Sequence, residues 1–226
     1  MSELFLVRHA QASYGESDYD RLSELGHQQS RWLGEYFEYR KLRFDRVICG
    51  EMVRHGETLD NISAAMGKVI PNPAVHTQWN EFDFEALINA YLCKFPDQKP
   101  AENAPPEAFS CLLTNTLQAW ADDVLARDIP ESFAEFEQRV GAALSLATEQ
   151  TERGGKVLVV SSGGPISMAL KMVLMAPPGS MIRMNMQTRN SSYSRLFFNH
   201  ESIHLAGFNH TPHLDHPGRG HALTYY

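Results

Sequence analysis

The chain has 226 residues, 43% of them apolar and 21% charged, with a formal net charge of −7. That length suits one large domain with a sizeable core. The acidic balance argues against a nucleic-acid or membrane-surface protein, while leaving room for a local basic pocket. The three cysteines, Cys49, Cys93 and Cys111, are odd in number and lack metal-type spacing, which points to a reducing, cytoplasmic setting. Neither a signal peptide nor a membrane-spanning run is expected.

Leu4 to Val7 is a continuous apolar run suited to a strand buried on both faces, and it ends abruptly in Arg8-His9. Gln11 to Arg21 is a polar loop carrying Ser13, Gly15, Asp18 and Asp20. A helix is expected from about Ser23 to Tyr39, with Leu25, Trp32, Leu33, Tyr36 and Phe37 on its inner face. Phe44 to Cys49 reads as a second strand. Met52 to Met66 reads as a second helix with Leu59 and Ile62 facing inward. Strand, helix, strand, helix implies a parallel sheet with right-handed crossovers.

Strand signals mostly vanish over residues 83–130, where Pro96, Pro100, Pro105 and Pro106 break the chain. Phe109, Leu112, Leu113, Thr116, Leu117, Trp120 and Val124 then follow a helical stripe, expected as core, with Cys93 and Cys111 buried nearby. The segment reads as a helical insertion covering one end of the sheet, since roughly 50 residues make a marginal core alone. Ser132-Phe133-Ala134-Glu135 is a capping box opening a helix with Phe136, Val140 and Leu144 inside. Val157 to Val160 is a third buried strand. It breaks at Ser161-Ser162-Gly163-Gly164-Pro165 into a helix with Pro165 in its first turn. Tyr193 to Phe198 and Ile203 to Phe208 read as late strands joined by a turn over 199–202. The expected architecture is a single α/β domain over residues 1–226, a three-layer α/β/α sandwich with a mainly parallel sheet.

In open parallel sheets, ligands bind beyond the carboxyl ends of the strands. Three such ends here carry Arg8 and His9, then Arg54, then Ser162, Gly163 and Gly164 at a helix N-terminus. Two arginines and a helix N-terminus suit a phosphate-like group, and a histidine among them could accept a phosphoryl group covalently. Glu81 is the first candidate to protonate a leaving oxygen and Asp83 the second. Arg54-His55 echoes Arg8-His9, but Gly50-Glu51-Met52-Val53 is too short and broken for a buried strand. Adjacent helical residues point about 100° apart, so with Arg54 facing the pocket His55 is expected to face away.

These residues resemble the histidine phosphatase superfamily, the phosphoglycerate mutase-like proteins. Leu6-Val7-Arg8-His9-Ala10-Gln11 matches its opening motif and Leu22-Ser23-Glu24-Leu25-Gly26-His27-Gln28-Gln29-Ser30 its second. Arg54 and Thr58 match its second arginine and the threonine after it. Trp79-Asn80-Glu81-Phe82-Asp83-Phe84-Glu85 matches its acid motif, Glu131-Ser132 its Glu-Ser, and Asn209-His210-Thr211-Pro212-His213-Leu214 its closing motif. The resemblance implies a phosphatase in which His9 is the phosphorylated nucleophile, Arg8 and Arg54 clamp phosphate oxygens, and Glu81 is the general acid. Ser162, Gly163, Gln11 and Ser13 join them as candidate phosphate-binding residues. It implies no metal and no cofactor, and a phosphorylated small molecule or phosphoprotein as substrate, with specificity in the insertion and in the loop over 11–20.

The chain departs from that pattern where Ser162 stands in place of the family's second phosphate-binding histidine. A hydroxyl donates a hydrogen bond but carries no charge. Loss of one charged donor costs on the order of 2–4 kcal/mol of transition-state stabilisation, about 10²–10³-fold in rate. Gly15 falls where mutases have asparagine, and Ala10 replaces the usual glycine. The alternatives are therefore a catalytically weakened protein that binds a phosphorylated ligand and, third, a bisphosphoglycerate-dependent mutase. The tail contains His200, His204, His210, His213, His216 and His221, without a helix-borne metal-binding pair. One of these histidines could lend the pocket the missing cation.

Overall fold

The structure is a computed structural model that describes residues 1–13, 20–67, 70–101, 103–125, 129–149 and 151–225. Its strands are β1 (Ser2–Arg8), β2 (Arg46–Cys49), β3 (Ala74–Val75), β4 (Lys156–Ser161), β5 (Tyr193–Phe198) and β6 (Ile203–His210). Its helices, among the described residues, are α1 (Glu24–Tyr39), α2 (Val53–Met66), α3 (Phe84–Lys94), α4 (Pro106–Ala121), α5 (Phe133–Glu149), α6 (Gly163–Val173) and α7 (Pro178–Gln187). The sheet order is β3-β2-β4-β1-β5-β6. The first four strands in that order run parallel, and β5 and β6 continue antiparallel from β1. β4 lies between β1 and β2, so the ends of all three converge on one edge of the sheet, where a crevice is expected.

The period of two in β1 divides its apolar run between two cores. Phe5 and Val7 join Val47, Cys49, Leu158 and Val160 against Leu33 and Phe37 of α1 and Leu59 and Ile62 of α2. Leu4 and Leu6 join Ile48, Val157 and Val159 against Phe136 and Val140 of α5, Ile166 and Leu170 of α6, and Met181 and Ile182 of α7. Helices therefore cover both faces, giving the expected three layers. Leu87 of α3 and Leu112, Leu117 and Trp120 of α4 enter the second of these cores. Among the described residues no helix is long and apolar enough to cross a membrane.

Several expectations need correction. The buried face of α1 consists of Gly26, Gln29, Ser30, Leu33, Gly34 and Phe37, while Leu25 and Trp32 are half-buried flanks. The face rotates because α1 packs tightly on α2: a Cβ at Gly34 would lie 2.5 Å from the Ile62 carbonyl oxygen and 2.8 Å from Ala65 Cβ. Gly34→Ala is therefore expected to destabilise the protein by about 1–3 kcal/mol through overpacking, despite alanine's better helix propensity. Thermal unfolding checks this: a lower Tm is expected, and an unchanged or higher Tm would show that the α1–α2 contact yields easily. Cys93 and Cys111 are exposed, not buried. Leu112, Leu113, Thr116, Leu117 and Trp120 define the inner face of α4, and Cys111 projects off it, as does Phe109, 39% exposed. β3 and α7 were not expected. β3 is two exposed residues, and α7 fully buries only Met181 and Ile182, so neither leaves a clear periodic trace.

The capping box is present: the Ser132 N–H donates to Glu135 Oε2 at 2.8 Å, and the Glu135 N–H to Ser132 Oγ at 3.3 Å. The preceding Glu131 holds Arg139 through two bonds of 2.6 and 2.8 Å. The same guanidinium donates to the carbonyls of Gln78 and Asn80, each at 2.9 Å. A bidentate pair of this kind fixes orientation as well as charge, and here it pins the segment that leads into Glu81.

Candidate active site

His9 is the first residue beyond β1. Its N–H donates to the Ser161 carbonyl at 2.8 Å, extending the parallel ladder and setting the imidazole beside the end of β4. The side chain is buried, with 6% of its surface exposed. Nδ1 lies 2.8 Å from the Ala10 carbonyl oxygen, which can only accept, so Nδ1 carries the hydrogen. Nε2 then holds the lone pair, and Arg54 Nε donates to it at 3.3 Å. Burial, reinforced by the charges of Arg54 and Arg8 and by His55, holds the imidazole well below its usual range and keeps it neutral.

Arg54 occupies the first turn of α2. Its Nη1 pairs with Asp20 Oδ1 at 2.6 Å, while Asp20 Oδ2 accepts the Val53 N–H at 2.9 Å and so caps α2 from the loop. Thr58, one turn further on, accepts from the Ala10 N–H at 3.1 Å and donates to the Arg54 carbonyl at 2.7 Å. The helix is thereby locked to the chain just after His9. Arg8 Nη1 donates to the Thr188 carbonyl at the end of α7. Gly163, which opens α6, lies alongside Arg8 Nε and Asn185. The structure thus brings Arg8, His9, Arg54 and the N-terminus of α6 into one crevice.

Glu81 also belongs to this crevice. Its Oε2 accepts the Gly164 N–H at 3.1 Å and its Oε1 the Phe82 N–H at 3.3 Å. A Cβ at Gly164 would lie 2.1 Å from Glu81 Oε1 and 2.5 Å from the Phe82 ring, so only glycine lets the carboxylate sit there. Burial pushes the Glu81 carboxyl above the usual carboxylate range, against the opposing pull of the Gly164 N–H, Arg54 and Arg8. Asp83, the rival candidate, is exposed and caps α3 by accepting the Ala86 N–H at 2.9 Å. Gln11 and Ser13 stand at the start of the loop. Gln11 Oε1 accepts from Ser23 Oγ at 2.8 Å, and the Ser13 N–H donates to the Arg21 carbonyl at 2.8 Å. Gly15, whose identity bears on mutase chemistry, lies outside the described residues.

His55 overturns its expected place outside the site. It is fully buried, its ring centroid lies 5.7 Å from that of His9, and its Nε2 is 2.7 Å from Ser162 Oγ. Both residues reach the crevice despite pointing about 100° apart, because the first turn of α2 is wedged into it on two sides. Arg54 reaches toward His9 and Asp20, and His55 toward β4. Ser162 in turn occupies the N-cap position of α6 without making a side-chain cap bond. His213, the buried tail histidine, contacts Ser191 Oγ at 2.8 Å through Nε2. The ring that lies beside His9 is that of His55. Asp20 and Arg139 also went unassigned from sequence, because both act through contacts with distant segments.

Among the described residues no three His, Cys, Asp or Glu side chains gather as a metal-binding group. The groups suited to a ligand are the two guanidiniums and the α6 N-terminus, an anion-binding arrangement. A neutral histidine with its Nε2 lone pair beside them can attack an electrophilic centre, and a carboxyl whose pKa is raised by burial can, when protonated, donate to a leaving oxygen.

The fold recurs widely among solved structures. Phosphoglycerate mutase from Bacillus anthracis aligns with a TM-score of 0.70 at 16% identity, covering 94% of each chain. A phosphoserine phosphatase from Entamoeba histolytica gives 0.66 at 18% identity, over 95% of this chain and 100% of the other. The alpha-ribazole phosphatase from Shigella flexneri gives 0.64 at 21%, over 92% and 96%. No curated protein sequence matches the chain. Residues 4–211 match the family model of the histidine phosphatase superfamily (branch 1), and the chain belongs to that superfamily.

Proposed function

We propose that the protein is a phosphomonoesterase that works through a phosphohistidine on His9. The observation that carries this reading is the tautomer: Nδ1 is committed to the Ala10 carbonyl, which leaves Nε2 without a hydrogen, its lone pair accepting from Arg54 Nε. Nε2 attacks phosphorus, the bond to the ester oxygen breaks, and Glu81 gives its proton to that oxygen. Glu81, now a carboxylate, takes a proton from water as the water attacks phosphorus and returns His9 to its neutral form. Arg8, Arg54, the hydroxyl of Ser162 and the amide at Gly163 hold the phosphoryl oxygens. Gln11 and Ser13 contribute at the edge of the site. Burial of His9 favours a small phosphorylated substrate, the class named for the phosphoserine and alpha-ribazole phosphatases of the same fold. Free cysteines on the surface suit a cytoplasmic protein.

Hydrolysis of an alkyl phosphate, whose leaving oxygen needs a proton, tests the assignment across pH. In the free enzyme His9 must be neutral and Glu81 protonated, and kcat/KM reports both. The His9 pKa is lowered, so the acid limb should fall well below the usual 6.5, while the raised Glu81 pKa sets the decline toward alkaline pH. An acid limb at or above pH 6.5 would contradict the role of His9. Tight binding of inorganic phosphate without turnover would favour instead a phosphate-ligand-binding protein, the reading suggested by a neutral Ser162–His55 pair in the pocket.

A further inference from the structure

We propose that His55 is a positioning residue that fixes the Ser162 hydroxyl as a hydrogen-bond donor to the transferring phosphoryl group. The proposal rests on the phosphohydrolase reading of the site, but its geometry stands independently of turnover.

The Ser162–His55 contact of 2.7 Å could run either way, since a hydroxyl both donates and accepts and a neutral imidazole has one nitrogen of each kind. The far side of the ring decides. Gly50 packs against Nδ1 so closely that a Cβ there would lie 2.2 Å from it. One α-hydrogen of Gly50 therefore points at Nδ1. A C–H directed at a ring nitrogen suits a bare lone pair and would collide with a hydrogen on that nitrogen. Nδ1 is also buried with no hydrogen-bond partner among the described residues, so a hydrogen there would be an orphaned donor. The hydrogen belongs on Nε2, which donates to Ser162 Oγ.

With its oxygen accepting from His55, Ser162 has its own hydrogen free for another acceptor. The hydroxyl makes no cap bond to α6. It stands between β4 and the helix N-terminus, in the crevice that holds Arg8, His9 and Glu81. A phosphoryl oxygen bound there is the acceptor that the donor set suits. Burial holds the His55 imidazole down at about 3, so it remains neutral. The pair thus supplies an oriented donor and no charge, in contrast to a histidine at position 162.

Two measurements test this. In nitrogen-15 NMR of the unliganded wild-type protein, His55 should show a protonated Nε2 and a bare Nδ1. A protonated Nδ1 would make Ser162 the donor to His55 and overturn the proposal, whatever the enzyme's activity. Second, kcat and KM with p-nitrophenyl phosphate, and the Kd for inorganic phosphate, are measured for His55→Leu, His55→Gln, Ser162→Ala and the His55→Leu/Ser162→Ala pair. Loss of one oriented donor predicts a fall of about 10²-fold in kcat/KM, mostly in kcat, for His55→Leu and for Ser162→Ala. The double variant should be no worse than Ser162→Ala, and His55→Gln, whose amide keeps an N–H donor, should recover most of the loss. Additive losses, or failure of glutamine to rescue, would overturn the positioning role. A wild type that binds phosphate without hydrolysing anything would sink the phosphatase reading, yet the NMR result and the Kd cycle would still decide the Ser162 donor.

Discussion

Replacing His9 with alanine is expected to lower kcat by about 10⁴-fold or more, the scale on which loss of a covalent nucleophile is felt. Binding of inorganic phosphate should persist, because Arg8, Arg54 and the α6 N-terminus keep their own supports in Thr188, Asp20 and the β4–α6 turn. This split between turnover and binding separates a nucleophile from a general structural role. Steady-state kinetics together with calorimetric titration of phosphate would measure it. Retention of most of the activity in His9→Ala would mean that water, or another group, attacks phosphorus directly. Loss of phosphate binding together with activity would mean that His9 holds the crevice together.

Glu81→Gln is expected to show the second-largest effect, a loss of about 10²–10³-fold for an alkyl phosphate, within the range of general acid–base catalysis. The isosteric amide keeps one oxygen, which can take over either the Gly164 or the Phe82 N–H, so one of the two bonds that hold the side chain is retained. The loss should be smaller for p-nitrophenyl phosphate in the phosphorylation step, because nitrophenolate leaves without needing a proton. The alkaline decline of kcat/KM should also flatten, since the raised carboxyl titration is gone. Equal losses with both leaving groups and an unchanged pH profile would remove Glu81 from proton transfer. Asp83, exposed and engaged at the start of α3, offers no comparable position.

The parts of the molecule that were legible in sequence are those governed by local rules. β1 and β4 are continuous apolar runs because both of their faces are covered, and the Ser132–Glu135 capping box announces α5. The strand-end rule located Arg8, His9, Arg54 and the α6 N-terminus without any knowledge of contacts. What stayed hidden depends on partners far away in the chain. The turn of the α1 face toward Gly26, Ser30 and Gly34 reflects close approach to α2. Asp20 acquires meaning only beside Val53 and Arg54, and Arg139 only beside Gln78 and Asn80.

His55 is the instructive failure. The Arg54-His55 echo is visible in the sequence, and its helical setting follows from the broken run over 50–53. However, periodicity says only how far apart two side chains point, not how wide the cleft is that receives them. Here the first turn of α2 is enclosed on more than one side, so consecutive residues border one crevice. Ser162 stands out in the sequence as a departure and His55 only as an echo, and at 2.7 Å they form one hydrogen-bonded pair.

The most direct test of the central claim is rapid acid-free quenching of the wild-type enzyme during turnover, followed by peptide mass spectrometry under conditions that preserve phosphohistidine. The account predicts one phosphorylated peptide, the N-terminal one, with the phosphoryl group on His9 and none on His55 or Ser162. A phosphoryl group on Ser162 or His55, or steady turnover with no phosphorylated protein at any time, would contradict it.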